Sequence, residues 1–385
     1  MITVQRAIVA CLLTIPCITQ VRAQSVRIEP KYKSGESTYV EQNADIHQKM
    51  EGGPMPGAME IDIKRVYGLN RKVEATPDGG AKITMTFDRT MQKFDSPMMT
   101  GAFDSDAPDE DDSPMLAGPF KAMVGGTFTM EVDKEGKVKD FSGMKKILEK
   151  VEDASGGNPL SGQLRGELTD ERGKSTYGEQ VYLMYPNKEV NVGETWAKTF
   201  HDVLPQIGKV VSHYDYKLDR IAEENGHKMA IVSYKSTTEK DSSGKPGDEM
   251  PGASTKLTGS GNGQLTYDVE QGAVTRQTSD GRMNIEITRG APGKKAKGGD
   301  KAADAKSKNG KDDDDDEEED QPKPMKIDVT LKQTYTVMST ADRAKQKTEA
   351  AVKAKADQKK DDVKVDAKKK DAKKSAKKSD DDDDD

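Results

Sequence analysis

Apolar and polar residues alternate along many short segments of this chain, and few folds other than a β-sheet accommodate that pattern. Ile83, Met85 and Phe87, for example, alternate with threonines. Such a period of two is typical of a strand with one buried face and one face in water. Further segments of this kind lie at 39–50, 59–67, 128–132, 214–221, 229–234, 265–269, 283–288 and 327–337.

Tight turns separate several of these segments, so neighbouring strands are expected to pair antiparallel. The turns are Pro77-Asp78-Gly79-Gly80, Lys134-Glu135-Gly136, Glu224-Asn225-Gly226 and Gln271-Gly272. A sheet of about ten strands must curl or close on itself. The sequence therefore predicts a mainly β protein built on a large curved antiparallel sheet, either a half-barrel or barrel-like.

Two helices are predicted in the middle of the chain, between two groups of strands. The first begins at Ser142 or Gly143 and ends at Gly156-Gly157, and its apolar residues fall on one face. The second, less strongly patterned, runs from Pro159 to Leu168.

Charged low-complexity segments limit the folded part of the chain. The 11 tyrosines, seven phenylalanines and single tryptophan all lie between Tyr32 and Tyr335. Segments without apolar residues cannot offset their ordering entropy by burial. We predict a β-rich domain at 24–340, disordered insertions near 96–119, 242–254 and 290–324, and a disordered Lys/Ala/Asp tail at 341–385. The strands on either side of the insertion at 290–324 are predicted to be antiparallel neighbours.

The N-terminal 23 residues have the pattern of a secretory signal peptide. Arg6 precedes an apolar run over 7–18, and Val21 and Ala23 occupy the minus-three and minus-one positions of a cleavage site before Gln24. The run is shorter than the roughly 20 residues that a membrane-spanning helix needs. We therefore predict a signal peptide at 1–23, and a mature protein in the periplasm or outside the cell without a transmembrane span.

Both cysteines, Cys11 and Cys17, lie within this predicted signal peptide. The mature chain is therefore expected to have no disulfide and no thiolate ligand, which fits a bacterial envelope better than a small disulfide-rich secreted domain. Lipoprotein anchoring is the less favoured alternative. Too few residues precede Cys11, and the residues before Cys17 are of the wrong type for a lipidation site.

The charge of the chain is acidic and unevenly distributed. Loss of Arg6 and Arg22 with the signal peptide changes the net charge from −7 to −9, which argues against nucleic acid as a partner. The acidic runs at 104–112 and 312–320 lack the glycine of an ordered calcium loop. We expect them to act as solvated spacers that bind divalent cations only weakly, on the order of millimolar.

Two pairs of segments suggest an internal repeat. Residues 73–87 are similar to 221–234, and residues 129–138 are similar to 266–274. The two halves would cover about 26–141 and 177–338. Because any two amphipathic hairpins look alike, a chance likeness is the alternative.

Two short elements resemble an uncharacterised family of exported bacterial proteins that is known only as a domain of unknown function. The first is Lys31-Tyr32-Lys33 followed by Gly35, Glu36 and Tyr39, and the second is Val192-Gly193-Glu194-Thr195-Trp196. The resemblance covers about residues 26–338, apart from the insertions. It implies export and a β-rich architecture and supplies no active-site residue. From its own chemistry, Trp196 is expected to close the core after a turn at Gly193, with stacking against a ligand as the alternative.

The sequence contains no recognisable catalytic, cofactor-binding or metal site. Its four histidines are His47, His201, His213 and His227. They lack the i, i+4 spacing and the His-Glu pair of zinc proteases. Ser142 and Lys145 match a Ser-x-x-Lys pattern, but its partner motifs are absent and Ser142 is better explained as a helix cap. The glycine run at 259–263 has the wrong register for a dinucleotide loop.

Three classes of function stay open, and none requires a cofactor. The first is a non-enzymatic exported protein that binds an apolar or envelope-derived ligand, such as a lipid, in the curved sheet. The second is a structural or adhesive cell-envelope component that acts through its charged segments. The third is a hydrolase with no recognisable motif. We rank the first class highest and expect that the protein is not an enzyme.

Overall fold

The computed structural model describes residues 24–53, 57–107, 112–157, 159–204, 207–241, 253–289, 324–350 and 352. The predicted signal peptide at 1–23 lies outside the described residues. So do residues 242–252 and 290–323, which make up most of two predicted insertions, and the tail from residue 353 onward.

Fourteen strands are present in the described part of the chain. They are β1 (Ser25–Ile28), β2 (Ser37–Glu51), β3 (Met59–Ala75), β4 (Ala81–Asp95), β5 (Thr100–Asp104), β6 (Thr127–Val132), β7 (Val138–Ser142), β8 (Lys188–Asn191), β9 (Thr195–Leu204), β10 (Gly208–Glu224), β11 (His227–Lys240), β12 (Ala253–Asp268), β13 (Ala273–Arg289) and β14 (Met325–Ser339).

The helices lie mainly between β7 and β8. They are α1 (Pro114–Met123), α2 (Met144–Ser155), α3 (Pro159–Glu167), α4 (Asp170–Gly173), a π-helical segment (Lys174–Glu179), α5 (Gln180–Tyr182) and α6, which covers residues 340–350.

A twelve-stranded antiparallel sheet forms the body of the protein. Its strand order is β7-β6-β4-β3-β2-β14-β13-β12-β11-β10-β9, and β5 pairs with β4 beside β6. Strands β1 and β8 form a separate two-stranded sheet. The end strands β7 and β9 do not pair with each other, so the sheet curves without closing into a barrel. The predicted mainly β fold with a large curved antiparallel sheet is thus confirmed.

The predicted pairing across the long insertion is also confirmed. Strands β13 and β14 are antiparallel neighbours, and Ile285 lies opposite Ile327. Beyond β14, the next neighbour is β2 from the N-terminal part of the chain. A long connection is compatible with this pairing, because the entropy of closing a loop grows only slowly with its length.

In both groups of strands, each successive strand is added on the same side of the previous one along the sheet. Strands β2 to β7 follow one another away from β14, and strands β9 to β14 follow one another toward β2. The similar sequence segments therefore form equivalent hairpins, β3–β4 with β10–β11 and β6–β7 with β12–β13. In the second pair, a bulge directly follows Val138 in one hairpin and Val274 in the other. This order is the one that a repeat would produce, and duplication itself stays a prediction.

Both predicted mid-chain helices are present as α2 and α3. Helix α2 ends at Gly156, which has φ of 56° and provides the left-handed C-cap expected of glycine. The assignment of Ser142 as its cap was wrong. The N-cap is Gly143, and the Met144 amide donates instead to Asp170 Oδ1 at 2.8 Å, because α4 lies against this end of the helix.

The expected insertion near 96–119 is partly ordered, which corrects the sequence prediction. Strand β5 pairs with β4, and α1 begins at Pro114. Leu116, Phe120 and Met123 of α1 are buried against the core. These three residues fall at i, i+4 and i+7, so a single apolar stripe is enough to hold this helix on the sheet.

The predicted disordered tail from residue 341 also requires correction at its start. Residues 340–350 form helix α6, and Arg343 in this helix is 4% exposed. Helix α6 has no large apolar side chain, so no hydrophobic pattern in the sequence predicts that it packs on the sheet. Ion pairs to the sheet hold it, as described below.

Candidate functional site

Three buried clusters lie on one face of the main sheet, which we call the core face. The largest packs under α1, α2 and α3 and contains Leu69, Phe87 and Phe128. The second lies under β1 and β8 and contains Leu218 and Tyr267. Tyr182 and Tyr335 pack against both clusters. The third and smallest consists of Val210, Leu257, Ile285 and Ile287.

The core face continues beyond these clusters into a set of half-buried apolar side chains. Their face follows from the strand register, because directly opposed residues and residues two apart share a face. Leu331 lies opposite Ile46, and Ile46 lies opposite Ile63. We define the aliphatic strip as Ile46, Ile61, Ile63, Phe94, Val329 and Leu331.

No side chain of this strip belongs to a buried cluster in the part of the chain that the structure describes, nor is any of them packed against one. The strip therefore keeps apolar surface in contact with water. Ile327, Met50 and Met59 form a further half-buried row beside it, and Ile327 packs against the third cluster. Methionines in such a position provide an adaptable lining.

Two glycines continue the row from Leu331 into the neighbouring strands β13 and β12. Leu331 lies opposite Gly281, and Gly281 lies opposite Gly261. A Cβ atom at Gly281 would have only the Ser260 carbonyl oxygen near it, at 3.7 Å, so the space above this residue is open. The row from Phe94 to Gly261 crosses six strands and spans about 24 Å at the usual strand spacing. The row therefore passes from apolar side chains onto bare backbone at Gly281, and at Gly261 the Ser236 hydroxyl lies over the backbone.

The same row becomes polar at its far end. Gly261 lies opposite Ser236, Ser236 opposite Tyr214, and Tyr214 opposite Lys198 in β9. Lys198 is partly buried, and burial lowers its pKa from the ordinary lysine value. No carboxylate among the described residues contributes to that shift or forms an ion pair with this side chain. The row therefore has an apolar end and a cationic end.

A polar layer separates the strip from the largest cluster. Arg65 donates to Gln92 at 2.9 Å and to Glu167 of α3 at 3.0 Å, and its guanidinium lies 5.6 Å from the ring centre of Tyr67. Glu167 is the last residue of α3. The helical layer thus ends at these charged groups, which explains why the apolar residues beyond them have no cover.

The enclosed space at the seam between the two large clusters is small. A cavity of about 40 Å³ is lined by Arg71, Tyr32, Tyr182, Tyr185 and Tyr335, among others. Such a volume accommodates a few water molecules at most. A ligand of useful size would have to lie on the open core face rather than inside this cavity.

Trp196, the one site residue named from the sequence, lies in the second cluster and is 9% exposed. Its indole N–H donates to the Met184 carbonyl at 2.9 Å, and its ring stacks on Tyr216 at 5.5 Å between ring centres. This geometry favours the interpretation of Trp196 as a core residue. Stacking against a ligand stays a prediction.

The residues rejected from the sequence as catalytic groups are dispersed. His47 contacts Asp62, His201 lies near Asp241, and His213 contacts Thr199. Ser142 contacts Thr129 across β6 and β7. The glycine run at 259–263 lies inside β12, where Tyr234 packs over Gly263. His227 is the exception, because it meets two carboxylates on the other face of the sheet.

The first acidic run is not the solvated spacer that was expected. Arg89 pairs with Asp104 at 2.7 Å and with Asp106 at 3.4 Å, and Arg343 pairs with Asp106 at 2.7 Å. Asp106 is 3% exposed in its side chain. These carboxylates are used to attach α6 to the outer face of the sheet. Residues 108–111 and the second acidic run lie outside the described residues.

The aliphatic strip was not predicted as a site from the sequence. Its residues belong to the same alternating segments as the core residues. The only signal was that this alternation continues unchanged toward the far ends of the long strands, with no matching helix to cover them.

The fold and the strip together define an open, curved antiparallel sheet with an uncovered apolar row. A family of unknown function, DUF6263, matches residues 78–274, and the chain belongs to this family. No curated protein sequence matches it. Among the described residues, none of the helices has the length and apolar character needed to cross a membrane.

Three solved structures show faint likeness. A structure entitled "Lipid-protein interactions in lipovitellin" has a TM-score of 0.39 and 10% identity, over 80% of this chain and 26% of that one. OccK5 of Pseudomonas aeruginosa has a TM-score of 0.19 and 7% identity, over 79% and 98%. A DUF1329 protein of Desulfovibrio piger has 0.14 and 7%, over 80% and 87%. The chain spans about a quarter of the lipovitellin chain, and all three TM-scores are too low to establish a shared fold.

Proposed function

We propose that the protein is a non-enzymatic, exported binding protein for a fatty acid, whose acyl chain lies along the aliphatic strip with its carboxylate directed toward the cationic end of the row. The observation that carries this proposal is the continuous row from Phe94 to Lys198, apolar at one end and cationic at the other. An anionic amphiphile is complementary to this row, because it has an apolar chain at one end and a negative head group at the other.

The dimensions of the row favour a slender ligand over a protein partner. Half of the hydrocarbon core of a bilayer is about 15 Å thick, so the part of the row from Phe94 to Gly261, about 24 Å, accommodates one acyl chain laid across the strands. Lys198 lies three strands, or about 14 Å, further along the row. A stable protein interface needs about 800 Å² from each partner. Six half-buried side chains on a concave sheet face offer much less than that.

The expected affinity is modest. Burying a methylene group contributes about 0.8 kcal/mol, and a chain lying on the open core face is covered on one side only. At about half that value, a chain of about 16 carbons contributes about 6 kcal/mol before entropic costs, which corresponds to a Kd of tens of micromolar at best. Such binding suits a ligand that is picked up and released.

The proposal is tested by titrating the mature protein with palmitate below its micelle concentration and measuring displacement of a fluorescent fatty acid. Ile63→Glu places a carboxylate in the middle of the strip, and we expect it to weaken binding at least tenfold. Lys64→Glu is the matched control, because Lys64 is the next residue of β3, points to the other face and is exposed. It should bind palmitate like the parent protein.

The position of the head group is tested separately. Lys198→Gln should weaken palmitate binding by about twofold, as expected for two charges about 10 Å apart in water, and leave the weaker binding of the corresponding alcohol unchanged. Lys217→Gln on the outer face should change neither. Equal palmitate affinity in the Ile63→Glu and parent proteins would overturn the proposal. So would a parent protein that is a dimer and that Ile63→Glu converts to monomers, because a second copy would then cover the strip.

A further inference from the structure

His227 lies at the meeting point of two hairpin turns on the outer face of the sheet, away from the aliphatic strip. Strand β11 begins at this residue, directly after the turn at Asn225 and Gly226. The partner strand β12 ends at Asp268. Met229 lies opposite Asp268, and the Val269 amide donates to the Lys228 carbonyl at 2.9 Å. Lys228 therefore lies opposite Val269, and in an antiparallel pair the next residues toward the turns, His227 and Glu270, lie opposite each other.

Three potential metal ligands converge here. His227 Nδ1 lies 2.9 Å from Asp268 Oδ2 and 3.2 Å from Glu270 Oε2. The three ligand atoms all lie within 4.8 Å of one another. Donors bound to one tetrahedral Zn²⁺ at about 2.0–2.1 Å are about 3.3 Å apart, so little rearrangement would be needed to bind one ion.

The Asp268 carboxylate is held in place independently of the histidine. It is 1% exposed, and its Oδ1 accepts hydrogen bonds from the Glu270 and Gln271 amides, both at 2.9 Å. The turn therefore uses one oxygen of this carboxylate and leaves Oδ2 directed at His227. A buried carboxylate oxygen with no amide partner needs a cation or a proton donor.

The imidazole nitrogen that faces these oxygens also lacks a hydrogen bond. His227 Nδ1 is buried and has no hydrogen-bond partner of acceptable geometry, although two carboxylate oxygens lie within 3.2 Å. The three donor atoms lie close together, and a cation bound among them would engage this nitrogen and both carboxylates.

Of the three residues, Glu270 also lines a wide cleft at this end of the sheet, which His227 and Asp268 do not line. Glu270 lines this cleft together with Gly226, Lys228 and the chain at Gln24 and Ser25, and its volume is about 810 Å³. Metal sites with three protein ligands and an open side keep coordination positions for water or another oxygen ligand.

We propose that His227, Asp268 and Glu270 form a binding site for a divalent transition-metal ion, with Zn²⁺ as the best match to one imidazole and two carboxylates. The ion would join the two hairpin turns. This site is independent of the proposed fatty-acid binding, since it lies on the opposite face of the sheet.

The test is isothermal titration of the chelator-treated mature protein with ZnCl₂. We expect one equivalent of Zn²⁺ to bind, and we expect His227→Gln and Glu270→Gln each to weaken binding at least about 100-fold. Glu270 is 53% exposed and serves as the variant least prone to misfold, whereas Asp268→Asn also disturbs the turn. The matched control is His213→Gln, because His213 is exposed and its ring contacts Thr199.

A second readout identifies the ligands directly. Co²⁺ substituted into the parent protein should give the visible absorption of a low-symmetry site with a nitrogen ligand, and this absorption should disappear in His227→Gln but persist in His213→Gln. The proposal is overturned if the parent protein binds no stoichiometric Zn²⁺. It is also overturned if Zn²⁺ binds with equal affinity to the parent, His227→Gln and Glu270→Gln proteins.

Discussion

The guanidinium carbon of Arg343 lies 4.6 Å from the ring centre of Tyr39, so helix α6 is attached to the outer face of the sheet by a cation–π contact. The same guanidinium donates to Asp88 at 2.7 and 2.9 Å and to Asp106 at 2.9 Å. Burial alone would lower the pKa of Arg343, but these carboxylates hold it above the ordinary arginine value. The residue therefore stays charged while it is buried.

We expect Arg343→Ala to destabilise the protein by about 3 kcal/mol, because it leaves Asp88 and Asp106 without their buried partner. Urea unfolding followed by circular dichroism measures this loss. Lys345→Ala in the same helix is the control, since Lys345 is 77% exposed and pairs only with Asp342. Equal urea midpoints for the two variants would show that the ion pairs and the cation–π contact of Arg343 contribute nothing to stability.

Truncation after Ser339 is expected to lower the melting temperature by several degrees, because it removes Arg343 and the rest of α6. The sequence predicted a disordered Lys/Ala/Asp tail at 341–385, whose removal would change the melting temperature by a few degrees at most. A chain that ends at residue 352 keeps the ion pairs of Arg343 with Asp88 and Asp106 and should melt like the full-length chain. Scanning calorimetry of the three proteins decides between the two expectations.

Gly68→Ala should cost about 1–3 kcal/mol, because Tyr39 lies across the backbone of Gly68. A Cβ atom at this position would come within 2.9 Å of the Tyr39 ring carbon Cε2. Gly281→Ala is the matched control in another strand of the same sheet, where the nearest atom is 3.7 Å away. That variant should be as stable as the parent or slightly more stable, since glycine is unfavourable inside a strand. Both are compared by urea unfolding.

Replacement of Trp196 by Ala should cost about 3–5 kcal/mol, as expected for a large buried ring. Trp196→Phe keeps most of the apolar contact with Tyr216 and loses the hydrogen bond to the Met184 carbonyl, so it should cost about 1–2 kcal/mol. Unfolding followed by circular dichroism measures both variants. An unchanged stability of Trp196→Ala would place the ring outside the core and favour the ligand-stacking alternative.

Stability should fall steeply between pH 10 and pH 12. Burial raises the pKa of Tyr67 and of Tyr335 to about 12, although Arg65 and Arg71 respectively lower them in part. In the unfolded chain these phenols ionise near pH 10. Their contribution to stability is therefore complete below pH 10 and is lost as the pH rises toward 12. Tyrosinate absorbance and circular dichroism, recorded together, should show ionisation of the last tyrosines coinciding with unfolding.

The parts of the fold that depend on neighbouring residues were predictable. The alternation at Ile83, Met85 and Phe87 places these side chains on one face of β4, and all three are buried. Asn225 and Gly226 both have positive φ, as the two central residues of a tight hairpin turn require. Helix α1 could have been found as well, because its buried residues follow a helical spacing, but the adjacent acidic run concealed it.

The parts that depend on distant segments were not predictable. Ile63 and Leu69 belong to the same alternating pattern in β3, yet Leu69 is fully buried and Ile63 is only half-buried. The difference arises because α3 ends at the polar layer around Arg65. Likewise, nothing near Arg343 in the sequence indicates burial, since its partners Asp88 and Asp106 come from the opposite end of the domain.

The sequence alone determined the mainly β class, the antiparallel hairpins and the two mid-chain helices, because periodicity and turn chemistry act over a few residues along the chain. The tertiary structure decided which apolar residues are covered, that the row from Phe94 to Lys198 is continuous, and that His227 meets Asp268 and Glu270. Each of these depends on which strands pair and in which register. Register joins residues that are tens to hundreds of positions apart, and their proximity is an outcome of packing the whole sheet.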